Sequence, residues 1–242
     1  MKILNITDEE YFSRPEVSSS QSKHALRSAL HYKYNLENPP KPSASQAFGT
    51  AVHSRILEPD KFFTDYVVMT ETDKRTKAYK EALAELEPHQ KPLTVEERDG
   101  IEYIFHQWEQ LMPYQFLDNP QNEVVVLNNI HGMACRGKLD MLGDNGFLDL
   151  KTCQSAEPRD FKRAMYNFNY IYQAAFYSLL TGLNTCYFVA VENSAPWGIK
   201  IYKVAMDTLE SGKILVRQAL ETIEKAKESG VYDGYTEEIE IV

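Results

Sequence analysis

The hydrophobic period of this chain changes twice, and those changes restrict its fold more than any other feature. Apolar residues recur at helical spacing up to about Met112, fall into short strand-like runs between Glu123 and Lys151, and return to the helical period after Pro158. The runs 123–127, 133–142 and 147–151 read as a strand meander, with two further strands at 185–191 and 199–204. A long helix from Asp207 to about Ser229 follows. Strands bracketed by helices imply an α/β chain, with a central mixed β-sheet flanked by helices and an N-terminal helical section folded against it. No repeat or low-complexity tract divides the sequence, so the reading is one domain over 1–242. Within it, 1–115 is a mainly helical section carrying His53, 120–205 is the sheet core, and 207–229 is the C-terminal helix.

The helical parts carry their own punctuation. Residues 1–15 read as irregular, closed by Pro15, and the hydroxyls of Ser18, Ser19 and Ser20 offer N-caps to a helix reaching about Tyr34. Pro39 to Pro42 reads as a stiff connector. Ser43 or Ser45 would cap a helix from Gln46 to Leu57, which Glu58-Pro59 closes. A short strand is expected at 66–69 and helices at 73–86 and 94–112, the latter opened by the capping box Thr94-Val95-Glu96-Glu97. Two more helices, 158–168 and 170–181, are expected ahead of the stop at Gly182.

Composition removes several function classes. The chain is 43% hydrophobic and 25% charged, ordinary for a globular domain, and no apolar run approaches a membrane span. Met1 to Asn5 lack a signal-peptide core, so a cytoplasmic location and no membrane partner are expected. Cys135, Cys153 and Cys186 are odd in number and widely spaced, which fits neither a disulfide framework nor a zinc or iron–sulfur pattern. A net charge of −9 weighs against a broadly basic nucleic-acid surface, but a local positive cleft remains compatible with it.

The chemistry concentrates in the meander. Gly143-Asp144-Asn145-Gly146 reads as a hairpin turn whose Asn-Gly supplies positive φ angles. It joins Arg136-Gly137-Lys138-Leu139-Asp140 to Leu148-Asp149-Leu150-Lys151. Alternate strand residues share a face, so Asp149 and Lys151 point together, with Asp140 at the end of the neighbouring strand. Two carboxylates beside an ammonium suit a hard divalent cation and an activated water, a combination fitted to phosphodiester hydrolysis. Phe147, Leu148 and Leu150 mark the second strand as buried, and a buried Asp and Lys require partners. His53 sits one helical turn after Gly49, whose presence inside a helix implies a close approach there, and its imidazole could complete the ligand set. Glu58 is either an outer-shell carboxylate or a simple helix terminus. In the helix from Tyr170, the spacing places Tyr170, Gln173 and Tyr177 on one face, either as core or along the wall of a cleft.

In this order the residues resemble the PD-(D/E)xK nuclease superfamily in its RecB-like branch. That branch combines a helical His, an Asp ending one strand, an Asp-x-Lys on the next and a helical Gln-x-x-x-Tyr. Here these are His53, Asp140, Asp149 with Lys151, and Gln173 with Tyr177. Val17 to Ser20, Phe48 to His53 leading to Leu57-Glu58-Pro59, and Arg75-Thr76-Lys77 further resemble the nuclease domain of RecE-type prophage exonucleases, over roughly residues 7 to 205. A Leu at 139 stands where the family name has Pro, which removes no ligand. The resemblance implies a restriction-endonuclease-like core and Mg²⁺ (or Mn²⁺) dependence. It implies 5′-to-3′ degradation of one strand of linear double-stranded DNA, leaving 3′ tails for recombination. Its expected partners are DNA ends, a single-strand annealing protein and copies of itself in a ring-shaped trimer or tetramer, as in the functionally similar lambda exonuclease.

By the same resemblance Asp140, Asp149, His53 and the Leu150 carbonyl hold metal, Lys151 assists deprotonation of the attacking water, and Gln173 and Tyr177 belong to the catalytic set. Ser19 and Ser20, at a helix N-terminus, are candidates for a DNA phosphate or for plain capping. Arg136, Lys138 and Tyr170 are candidate DNA contacts. Two readings stand beside this one: a RecB-like single-strand exonuclease or endonuclease of DNA repair, and a catalytically silent DNA-binding scaffold.

Overall fold

In the computed structural model the described residues are 1–39, 44–71, 73 and 75–235. The connector expected at Pro40 to Pro42 and the cap at Ser43 lie outside them, as does the side chain of Ser45. The central sheet runs in the order β1-β5-β6-β7-β8-β9. These strands are β1 (Lys2–Leu4), β5 (Gln121–Ile130), β6 (Met133–Leu142), β7 (Phe147–Cys153), β8 (Cys186–Glu192) and β9 (Ile199–Lys203). A seventh strand, β2 (Val17–Ser18), pairs parallel to β6. β5, β6 and β7 form the antiparallel meander expected from sequence. β7 and β8 pair in parallel, and their crossover passes through α8 (Pro158–Asn167) and α9 (Tyr170–Thr181), as a parallel connection requires.

Both faces of the sheet are covered, which explains why β7 and β8 lack a polar face along most of their length. Phe147, Phe188 and Ala190 pack with α9 and α10 (Met206–Ser229) in one core. The alternating neighbours Leu148, Val189 and Val191 pack with Phe48, Val52, Ile101 and Ile104 in a second. Those four residues belong to α4 (Ala44–Leu57) and α7 (Val95–Leu111). The capping box expected at Thr94 is formed with Glu97, and Gly182 ends α9 in the left-handed region. Cys135 and Cys186 are buried as small apolar side chains, and all three cysteines are free thiols.

The N-terminal section departs from the expected single helix over 17–34. Val17 and Ser18 add to the sheet edge instead, and Ser18 closes a capping box with Gln21 over the single turn α2 (Ser19–Ser22). A 3₁₀ turn at Lys23–Leu26 follows, and Ser28 starts a new helix, α3 (Ala29–Glu37). Residues 1–15 are ordered too, because Thr7 and Glu10 form a capping box that opens α1 (Asp8–Ser13). Past Glu58, α5 (Pro59–Asp65) begins at once, since Pro is well suited to the first helical turn. The strand β3 (Tyr66–Val68) pairs parallel with β4 (Lys91–Leu93), and α6 (Lys77–Ala84) is shorter than expected because Thr76 caps it late.

The hairpin joining β6 to β7 forms, with Gly143 N–H donating to the Gly146 carbonyl at 2.9 Å, but neither Asn145 nor Gly146 has a positive φ. Gly146 answers a different demand: a Cβ there would lie 2.6 Å from the Thr185 carbonyl oxygen. The left-handed pair falls at His131 and Gly132, between β5 and β6.

Candidate active site

β6 and β7 pair at Met141↔Leu148 and Leu142↔Phe147 and then part, and the opening is where the polar residues gather. Asp140 occupies the gap: its carboxylate takes the Leu150 amide at 2.6 Å, satisfying a backbone donor that the ladder leaves free. His53, delivered by α4, places Nδ1 3.6 Å from the same carboxylate, and its ring also bonds the Leu150 backbone. Gly49 lets α4 come this close. A Cβ there would sit 2.7 Å from Thr152 Oγ1 on β7, which identifies the close approach expected from sequence.

Asp149 and Lys151 lie together, with Nζ 2.5 Å from Asp149 Oδ2 and both side chains largely buried. Gln173 on α9 donates to Asp149 Oδ1 at 3.0 Å and to the Tyr177 hydroxyl at 3.3 Å, and that hydroxyl donates to the Lys138 carbonyl at 2.9 Å. Gln173 and Tyr177 therefore stand behind the carboxylate and orient it. Tyr170, the first residue of the same helix, faces the cleft instead, with Lys151 Nζ 5.0 Å from its ring centre.

The sequence reading missed Glu123. Ligand atoms of His53, Glu123 and Asp140 lie within 4.8 Å of one another, a set in which Glu123 takes the place expected of Asp149. Glu123 has φ 55° and lies opposite Asp140 in an unshifted β5–β6 register, where Asn122 pairs with Met141 and Val124 with Leu139. The left-handed backbone interrupts the ladder at this one pair and re-aims the side chain without changing the register on either side. Such a local turn leaves no mark on the pattern of apolar residues, and the 123–127 run looked like plain strand. Lys138 holds the Glu123 carboxylate at 2.5 Å and ties it to Asp8 at 2.6 Å.

Burial raises the pKa of Asp149 to about 6 against the pull of Lys151, and burial likewise raises Asp140 and Glu123. Burial and the neighbouring Lys151 lower that of His53, leaving a neutral imidazole. Burial works against the Lys151 ammonium, yet Asp149 and Asp140 hold its pKa above the ordinary lysine value. One buried and two half-buried carboxyls with raised affinity for a positive charge, plus a neutral imidazole, form a donor set suited to a divalent cation. The residues present fit a metal.

Three DNA-contact expectations are corrected. Arg136 is 2% exposed, bonded to the Arg14 carbonyl, with its guanidinium 5.1 Å from the Tyr11 ring centre, so it serves the fold. Ser19 is buried, and neither it nor Ser20 lines the cleft, because Ser18 and Gln21 close that helix start. The cations reaching the cleft from this segment are Lys23 and Arg27. Lys138 does line it, engaged with Asp8 and Glu123. Glu58 lines it as well, pairing with Lys61 at 3.4 Å. The cleft measures about 1660 Å³, well beyond a small-molecule pocket.

A family model described as a PDDEXK-like domain of unknown function (DUF3799) matches residues 18–242. No curated protein sequence matches the chain. A solved structure from Eubacterium rectale, described as a "Putative exonuclease", aligns with a TM-score of 0.69 at 18% identity, over 96% of this chain and 90% of that one. That likeness establishes a shared fold. Looser matches include an alkaline exonuclease from Laribacter hongkongensis, with a TM-score of 0.40 at 14% identity over 92% and 95% of the two chains. A phage related exonuclease from Haemophilus somnus has a TM-score of 0.38 at 11% identity, over 92% and 100%. No helix among the described residues is long and apolar enough to cross a membrane.

Proposed function

The chain belongs to the PDDEXK-like domain family, and from that premise we propose that it is a divalent-metal-dependent exodeoxyribonuclease acting on the ends of linear double-stranded DNA. The observation that carries this reading is the convergence of His53, Glu123, Asp140 and the Asp149–Lys151 pair on one cleft, at the point where β6 and β7 part. Degradation runs 5′ to 3′ and leaves 3′ tails for recombination, the activity implied by the resemblance to RecE-type nucleases. The whole chain acts as one nuclease unit, with copies assembled in a ring around the duplex and an annealing protein receiving the tails.

The cation, Mg²⁺ or Mn²⁺, supplies charge neutralisation and a water made acidic enough to attack phosphorus near neutral pH. Asp140, His53 and Glu123 would hold it, with Asp149 and the Leu150 carbonyl adjacent. Asp149, kept in register by Gln173 and Tyr177, positions the Lys151 ammonium. Lys151 then meets the negative charge that builds on the phosphate oxygens, where a preoriented cation lowers the barrier. Buried between Asp149 and Tyr170, this ammonium needs little reorganisation to do so.

The test is degradation of linear duplex DNA with Mg²⁺, comparing 5′-phosphorylated and 5′-hydroxyl ends with covalently closed circles. Loss of linear DNA with circles intact supports the end-dependent reading, and cutting of circles replaces it with an endonuclease. Lys151→Ala and Asp149→Ala are each expected to abolish cleavage while circular dichroism stays native. Full activity in either variant removes the proposed site.

A further inference from the structure

The cleft wall beside Lys151 carries two stacked aromatic rings, of which the chemistry above uses only the inner one. Tyr170 sits against Lys151, and Phe168 stacks on Tyr170 with ring centres 5.8 Å apart and planes at 29°. The outer ring is 61% exposed on the cleft rim. Its orientation is set by the backbone: Asn169 between the two rings adopts φ 59°, and its carbonyl accepts the first amide bond of α9 from Gln173. The stacked pair is thereby fixed to the helix that orients Asp149.

Two cations line the same cleft as this ring. Lys23 is half-buried in the cleft, has no carboxylate partner among the described residues, and feels the charge of Lys151. Arg163, one turn of α8 before Asn167, also lines the cleft and is exposed. A flat apolar face sharing its cleft with cations that form no ion pair among the described residues, one aromatic ring away from the ammonium that faces the reacting phosphate, is complementary to a nucleotide.

We propose that Phe168, backed by Tyr170, is a stacking platform for the unpaired nucleobase neighbouring the scissile phosphate, with Lys23 and Arg163 facing the adjoining phosphates. The proposal rests on the nuclease reading and names the form of substrate it takes: an end nucleotide unstacked from its duplex. Every base has a π-face, so the platform tolerates any sequence and favours ends that fray easily.

The experiment places 2-aminopurine, whose fluorescence falls on stacking, at the terminal and penultimate positions of a duplex. Binding is read without turnover, in EDTA or Ca²⁺, and cleavage is read separately in Mg²⁺. Wild type is expected to quench the probe at one of these positions. Phe168→Leu, which keeps bulk but lacks a π-face, is expected to lose that quenching and raise KM by roughly tenfold with kcat little changed. Phe168→Trp is expected to retain both. Equal quenching and KM in wild type and Phe168→Leu overturn the platform while leaving the nuclease intact. A wild type that neither cleaves nor quenches overturns both readings. A change in light-scattering mass of Phe168→Leu with quenching unaltered assigns the ring to contact between copies and likewise overturns the platform.

Discussion

At Glu123 a non-glycine residue holds a left-handed backbone inside a strand, a conformation that persists only where surroundings over-determine it. What they gain is a carboxylate aimed beside Asp140 and His53, clamped by Lys138. Glu123→Gln keeps the shape and removes the charge, so it is expected to weaken divalent-ion binding by about tenfold or more, as losses around metal ligands commonly do. Isothermal titration with Mn²⁺ checks this, and unchanged affinity excludes Glu123 from the ligand set. The cysteines give a prediction of opposite character. Burial pushes the thiol pKa of Cys135 up to about 12 and that of Cys153 up to about 11, and raises that of Cys186 well above the ordinary thiol value. The thiolate is the reactive form, so roughly one in a thousand molecules or fewer is reactive per site at pH 8. Ellman's reagent is expected to titrate none of the three quickly in the native protein at pH 8 and all three after denaturation. The native rate should rise with pH toward 11, because raising pH populates the form that burial suppresses.

At the level of elements, α4 and β7 approach so closely at Gly49 and Thr152 that the site depends on a missing methyl group. Thr is stiff at χ1, so Gly49→Ala cannot be absorbed by rotation alone and is expected to destabilise by about 1–3 kcal/mol, with weaker metal binding as His53 is displaced. Thr152→Ala in the same chain is expected to restore most of both losses. A double-mutant cycle read by thermal melting and Mn²⁺ titration checks the coupling, and additive losses remove this contact as the cause. That approach was legible in the sequence, since Gly inside a helix weakens it and implied a neighbour. So were the meander and the flanking helices, because hydrophobic period and local spacing report which residues share a face, whereas the order of His53, Asp140, Asp149, Lys151, Gln173 and Tyr177 was read through the family resemblance. The aim of Glu123 was not legible, because it depends on a local left-handed backbone and on the register that sets it opposite Asp140. Nor was the break-up of 17–34, where Val17 finds a sheet edge distant in sequence and tertiary pairing overrides a run of good helix formers. Arg136 misled for a related reason: alternation placed it with Lys138 and Asp140, but β2 and the segment before it fold over that position and bury it.

Across the whole molecule, the carboxyls of the site come from three adjacent strands, and His53 comes from a helix packed in the other core. In the absence of a cation, burial and mutual repulsion keep Asp140, Asp149 and Glu123 shifted toward protonation, a stored cost at neutral pH. A divalent ion would remove that cost and tie α4 more firmly to the β5–β6 ladder, which it otherwise meets through packing, the Asn122–Leu57 hydrogen bond and the His53–Asp140 contact. Binding to the folded chain alone stabilises it by RT ln(1 + [L]/Kd), about 2.7 kcal/mol at a hundred times Kd. For a chain of 242 residues that corresponds to a Tm rise of roughly 5–10 °C. The rise should reverse with EDTA. It should shrink as pH falls, because protons then compete with the cation for Asp140 and Glu123, whose pKa values burial raises, while the adjacent Asp149 takes up its own proton near pH 6. Differential scanning calorimetry at pH 5 and pH 8, with and without Mn²⁺, measures both effects. Equal Tm values with and without metal at pH 8 would mean that the carboxylate cluster is held by Lys138 and Lys151 alone.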